Sequence, residues 1–133
     1  MPNARDVSIA SLSAVKARQK DKWLSLFAED AVLEDPVGPS PFDPSGNGHR
    51  GHEAIGRFYD MVNSANKTFD YKILHSYLCG NEVASVARFF ITTQDDVARE
   101  MDLVIVHRIN DEGKLVSLRG FWEFPTGADT HLG

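Results

Sequence analysis

The order of periodicities along the chain predicts an α+β domain. Apolar residues recur at helical spacing through much of the first 64 positions, and period-two alternation dominates from residue 67 onward. Ahead of the last helical stretch lies a segment, 36–51, with Pro36, Pro39, Pro41 and Pro44 set among Gly38, Gly46, Gly48 and Gly51. Proline lacks a donor and glycine is too free for a packed element, so this reads as a long loop. Helices first and an antiparallel sheet afterwards give three N-terminal helices packed on a strongly curved, mostly antiparallel sheet, with an apolar hollow between the layers.

Each element follows from local pattern. Residues 5–19 read as a helix, with Val7, Ile9, Leu12 and Val15 on its apolar side and Asp6 placed to cap it. Residues 21–28 read as a short second helix with Trp23, Leu24, Leu26 and Phe27 as its core side. Ala31 to Asp35 reads as a strand that stops at Pro36. His52 to Ser64 is the third helix, since Ile55, Phe58, Tyr59 and Val62 fall at helical spacing. Four strands follow at about 67–78, 82–92, 97–110 and 114–124. Cys79-Gly80-Asn81, Gln94-Asp95-Asp96 and Asp111-Glu112-Gly113 supply hairpin turns. Residues 125–133 read as a tail.

The 133 residues amount to one domain, with 42% hydrophobic and 25% charged residues, which is ordinary globular usage. A net charge of -5 argues against a nucleic-acid or anionic-membrane surface, both of which need a basic footprint. No apolar run approaches the roughly 18–20 residues of a membrane-spanning helix. The polar start of the chain lacks the apolar core of a secretion signal, so a cytoplasmic location is expected. Cys79 is the single cysteine, which leaves no internal disulfide and no all-cysteine metal site.

Alternation assigns strand faces. In the third long strand, Leu103, Ile105, His107 and Ile109 share the more apolar face, which places His107 inside. In the last strand, Leu118, Gly120 and Trp122 share a face; in the second, Val83, Ser85, Ala87 and Phe89 do. The opposite faces are also rather apolar, which points to a homodimer through the outer side of the sheet. In the first short strand Asp35 has the parity of Leu33, so if Leu33 points inward, Asp35 does too. A carboxylate at the mouth of an apolar hollow has its pKa raised, which suits a general base. The plainer reading is an aspartate that ends a strand and caps the next turn. For His107 the plainer reading is a buried histidine bonded to backbone, and for Trp122 it is core packing.

Other constellations carry less. His49 and His52 beside Glu53 lack the geometry of two histidines on one helix face, so no metal is expected. The glycines of 46–51 are not followed by the Gly-Lys-Ser/Thr of a phosphate loop. No cofactor is implied.

The run Leu26-Phe27-Ala28-Glu29-Asp30-Ala31-Val32-Leu33-Glu34-Asp35-Pro36-Val37-Gly38 resembles the segment of Δ5-3-ketosteroid isomerases that holds the catalytic aspartate. Gly51-His52-Glu53-Ala54-Ile55-Gly56-Arg57-Phe58-Tyr59 is similar to that family's third helix, and 110–122 to its last hairpin. The wider group is the nuclear transport factor 2-like superfamily, which includes SnoaL-like polyketide cyclases. The resemblance implies a cone of curved sheet and three helices, usually dimeric, acting on a small apolar, steroid-like ligand. It implies that Asp35 is the base, moving a proton from C4 to C6 through a dienolate. The family's oxyanion hole is a tyrosine and a protonated aspartic acid. Ser11 stands in the place of that tyrosine and Ile105 in the place of that acid. His107 is therefore the candidate oxyanion donor, with Tyr59 as support. Trp122, Tyr59, Ile105, Leu118 and Leu103 are candidate substrate-binding residues. Small Ser85 and Ala87 would widen the hollow, and the 39–50 segment is an insertion relative to the shorter isomerases, placed to form a lid or rim. A SnoaL-like cyclase or dehydratase, or a passive binder of apolar ligands, are the other readings.

Overall fold

The computed structural model describes residues 1–124. The expected tail, 125–133, lies outside the described residues. In chain order the elements are α1 (Ala4–Lys16), α2 (Lys20–Leu24), β1 (Phe27–Glu34), β2 (His49–Arg50), α3 (Gly51–Ala65), β3 (Asn66–Cys79), β4 (Glu82–Thr93), β5 (Ala98–Ile109) and β6 (Leu115–Phe121). The strands form one six-stranded sheet in the order β2-β1-β6-β5-β4-β3. All neighbours pair antiparallel except β1 and β6, which are parallel.

That parallel pair corrects one expectation. The three helices are not an N-terminal block, because β1 and β2 come between α2 and α3. The chain enters the sheet early: Phe27, expected on a helix, is buried and sits opposite Leu115 of β6. Its ring meets Trp23 of α2 edge-on at 4.8 Å. β1 therefore starts four residues sooner than its alternation suggests, and α2 is correspondingly short.

α1 begins at a reciprocal cap. The Asn3 side chain accepts from the Asp6 backbone N–H, and the Asp6 carboxylate accepts from the Asn3 backbone N–H. Asp6 thus serves at the third helical position, not as the cap itself. The helix stops at Lys16, earlier than expected, and Arg18 turns the chain with φ 55. Its buried side carries Val7, Ser8, Ser11, Leu12 and Ala14, while α3 buries Ile55, Phe58 and Tyr59. Each set follows the i, i+3, i+4 rule of a helix laid on a sheet.

Within the sheet the inward row of β5 is Leu103, Ile105, His107 and Ile109, all buried, as alternation predicts. Register shifts between Ile73 and His75 in β3 and between Arg108 and Ile109 in β5 bend the sheet. The second shift also explains a reversal. Leu115 has the outward parity of its strand, yet it is fully buried, because the bulge turns the start of β6 over.

The proline- and glycine-rich segment is folded. Ser40 and Asp43 exchange backbone hydrogen bonds at 3.1 and 3.0 Å. The Asp43 carboxylate accepts from the Gly48 N–H at 2.8 Å and from the Ser45 hydroxyl at 3.0 Å. These bonds hold the Asp43 carboxyl below the usual carboxylate range, although its partial burial works in the other direction.

Candidate active site

β1 and β6 run side by side with Leu33 opposite Leu118 and Glu34 opposite Arg119. The next step of the ladder brings Asp35 over Gly120. The Val37 N–H donates to the Gly120 carbonyl at 2.9 Å and fixes the chain just past the aspartate. Gly120 has no side chain, and this is what lets the carboxyl in. A Cβ built there would overlap Asp35 Oδ1 and lie 2.9 Å from Asp35 Cγ. A glycine inside a strand often marks such a close approach.

Trp122, one inward position further on, donates from Nε1 to Asp35 Oδ1 at 2.6 Å. Asp35 is half-buried as a residue, and its carboxyl sits among the atoms that wall the cavity. Burial pushes its pKa up to about 6, and the Trp122 hydrogen bond partly offsets that by favouring the carboxylate. Trp122→Phe removes the donor, so the Asp35 pKa is expected to rise further, by about one unit, since a hydrogen bond to a charged group is worth about 1.5–3 kcal/mol. A carboxyl-carbon NMR titration of Asp35 in both proteins checks this. An unchanged midpoint would mean that the indole does not stabilise the anion.

The cavity occupies about 410 Å³ between the helices and the sheet. At one end it is lined by Asp35, Ile105, His107, Leu118, Trp122 and Tyr59. His107 is only 1% exposed, and neither of its ring nitrogens has a partner among the described residues. Burial lowers its pKa to about 4, so the imidazole is neutral near pH 7. The Tyr59 hydroxyl also lacks a partner among the described residues. Trp23 Nε1 donates to Ser11 Oγ at 3.0 Å, which leaves the Ser11 hydroxyl hydrogen available to an acceptor in the cavity. Three neutral polar groups and one perturbed carboxyl therefore share one apolar chamber.

The structure brings together most of the residues singled out in the sequence: Asp35, His107, Trp122, Tyr59, Ile105 and Leu118 all line the chamber. Leu103 does not. It is buried in the helix–sheet core, as are Ser85 and Ala87, so their small size does not widen the cavity. Alternation assigns the inward face but cannot say where helix packing closes that face off. His52 donates from Nε2 to the Phe27 carbonyl at 2.8 Å, anchoring α3 to β1, and the His49 ring lies 5.1 Å from that of Phe58 at a 40° tilt.

Phe42 is the residue that sequence reading missed. Its ring lies 6.2 Å from Trp122 and 6.0 Å from Phe124 and walls the cavity beside Asp35. A lone aromatic between Pro41 and Asp43 in a polar segment was the available signal. The 39–50 segment thus contributes to the rim of the chamber, on which it places one ring.

A curved sheet closed by helices around an apolar chamber, with one poorly solvated carboxyl inside, has the form of a small-molecule pocket. The chain belongs to the SnoaL-like domain family, whose sequence profile matches residues 9–118. It is 29% identical over 114 residues to the Steroid Delta-isomerase of Nocardioides simplex, covering 84% of this chain and 82% of that protein. Among solved structures it is similar to a Mycobacterium tuberculosis protein crystallised with estradiol-17β-hemisuccinate (TM-score 0.84, 30% identity, 91% of this chain and 94% of that one). It is also similar to the Δ5-3-ketosteroid isomerase of a Mycobacterium species (TM-score 0.84, 28% identity, 90% and 92%).

Proposed function

We propose that the protein is a cofactor-independent isomerase that moves a carbon–carbon double bond beside the ketone of a steroid or similar polycycle. The observation that carries this reading is the Asp35 carboxyl, sunk beside an apolar chamber, held by Trp122 and poised near neutrality. Asp35 removes a proton from the carbon between the ketone and the double bond. The electron pair delocalises into a dienolate, and the same proton returns to the far end of the conjugated system. Trp122, Ile105 and Leu118 pack against the rings.

The developing oxyanion needs donors in a dry site. Neutral His107 donates one ring N–H, and the hydroxyls of Tyr59 and Ser11 supply others. Groups left without protein partners in an apolar cavity cost about 1–3 kcal/mol each, which favours a ligand oxygen as their partner. His107 thus acts as the second catalytic residue with Asp35, in place of the acid that Ile105 displaces. The test is a direct 5-androstene-3,17-dione isomerisation assay across pH, run beside Asp35→Asn. Turnover that rises with pH through about 6 and vanishes in Asp35→Asn is expected. Full activity in the variant would remove Asp35 as the base.

A SnoaL-like cyclisation of a polyketide-like substrate is the second reading, favoured by the family match. Product analysis separates the two, because isomerisation preserves the carbon skeleton.

The assembly that supports this site is a homodimer through the outer sheet face. Phe90 of β4, Val104 of β5 and Phe121 of β6 are 38%, 38% and 41% exposed there, and Val104 sits directly opposite Phe121 in the ladder. Val104→Glu places a charge in the middle of that face, and sedimentation is expected to change from dimer to monomer. A wild-type monomer would remove the dimer from the reading.

A further inference from the structure

The cavity continues well beyond the residues that do the chemistry. Its wall takes in Ile105, which pairs with Gly120 beneath Asp35, and, past the core-packed Leu103, Met101 and Arg99 of the same strand, the last of which pairs with Ile91 of β4. Six strand residues span about 20 Å. That exceeds a fused four-ring nucleus and leaves length for a side chain or a conjugate.

The wall changes character along this path. Phe69, Phe89 and Met101 line the middle, and Arg18, Asn63, Asn66, Ile91, Thr93 and Arg99 line the far end. Asp35 is the one carboxylate among the described lining residues, and it lies at the opposite end. Two guanidinium groups therefore set the local field at the rim of a chain whose net charge is -5.

Arg18 is held for such a role. Its backbone adopts φ 55 where α1 ends, and one guanidinium nitrogen donates to the carbonyls of Asn66 and Lys67 at the start of β3. Arg99 has an interaction of its own, and a guanidinium with five N–H donors serves a second acceptor beside the first. Acidic groups near this end have cationic partners: Asp96 pairs with Lys67, Asp70 with Lys16, and Glu100 and Asp102 with Arg88.

We propose that this rim is an anion subsite for the far end of the substrate. Resting on the reading of Asp35 as the base, the substrate class is a long amphipathic polycycle. Its keto ring lies at Asp35, and its tail ends in a carboxylate or sulfate ester held by Arg18 and Arg99. Asn63, Asn66 and Thr93 provide further polar contacts beside the anion.

Calorimetric titration with 3-oxochol-4-en-24-oic acid and with its methyl ester tests this. The acid is expected to bind about 10-fold more tightly than the ester, a gap that narrows at high salt. Arg18→Gln with Arg99→Gln removes the gap and leaves the affinity for the ester unchanged. Arg99→Gln alone, at an exposed strand position, removes part of it. Asn63→Asp brings a carboxylate to the rim and lowers affinity for the acid only. Equal binding of acid and ester by the wild type, or a gap that survives the double substitution, overturns the subsite while leaving the Asp35 chemistry standing. Failure of both compounds to bind overturns the subsite and the steroid pocket together.

Discussion

Asp35→Asn is expected to lose at least about 10³-fold in turnover and to unfold at a higher temperature than the parent at pH 8. The first effect follows from removing the base, and the second from the sign of the Asp35 shift. The folded carboxyl titrates at about 6 against an ordinary value of 3.8. Between those values the folded chain holds a proton that the unfolded chain has released, so this group favours folding fully in acid and loses that contribution as pH rises through about 6. Above that point the buried charge costs up to about 3 kcal/mol. Asparagine is uncharged, nearly isosteric, and keeps an oxygen to accept from Trp122 Nε1.

His107 has the opposite slope. Its folded value of about 4 lies below the ordinary 6.5, so its contribution is present above about 6.5 and is lost as pH falls toward 4. The two slopes oppose one another between about pH 4 and 6 in the wild type. In Asp35→Asn the histidine slope stands alone, and the gap in melting temperature is expected to close as pH falls to about 4. Calorimetry across pH reads both effects. An equal melting temperature at pH 8 would show a solvated carboxyl and remove the basis for catalysis by Asp35.

Gly120→Ala is expected to cost about 2–4 kcal/mol of stability, or to keep the fold only by expelling the Asp35 carboxyl, with about a 10²-fold loss of activity. The new Cβ overlaps Asp35 Oδ1, and the aspartate has little room to yield. Trp122 holds the carboxyl on one side, and the Val37–Gly120 hydrogen bond holds the backbone on the other. A double-mutant cycle isolates the clash. In an Asp35→Ala background the carboxyl is gone, and Gly120→Ala should then be close to neutral. An equal penalty in both backgrounds would place the origin of the strain elsewhere.

Much of the chamber was legible because strand parity is a strong constraint. Once Leu103, Ile105 and Ile109 point inward, His107 has no other place to go, and Trp122 follows from Leu118 and Gly120 in the same way. Asp35 lies one residue past the end of β1, and there parity still holds because the ladder with β6 carries it over Gly120. What escaped depends on non-local geometry. The parallel pairing of β1 with β6 joins segments about 85 residues apart, and nothing in either strand announces its partner. The bulge that turns Leu115 inward depends on how β5 and β6 fit together. The loss of Leu103 from the cavity depends on where α1 lies. Gly120 was visible only as a small residue on an inward face, since its purpose becomes clear only when Asp35 lies above it.

The hydrogen bond between Asp35 and Trp122 spans 87 residues. Its two halves are therefore made well apart in time during protein synthesis. While the ribosome is still producing the hairpin that carries β6, the aspartate has neither its indole donor nor the glycine floor beneath it. The helices and β3–β5 can collapse earlier, yet a truncated or still-tethered polypeptide has no assembled proton-transfer centre. The arrangement around Asp35 is therefore complete only once β6 has joined the sheet, and a chain cut short before β6 is expected to lack it altogether.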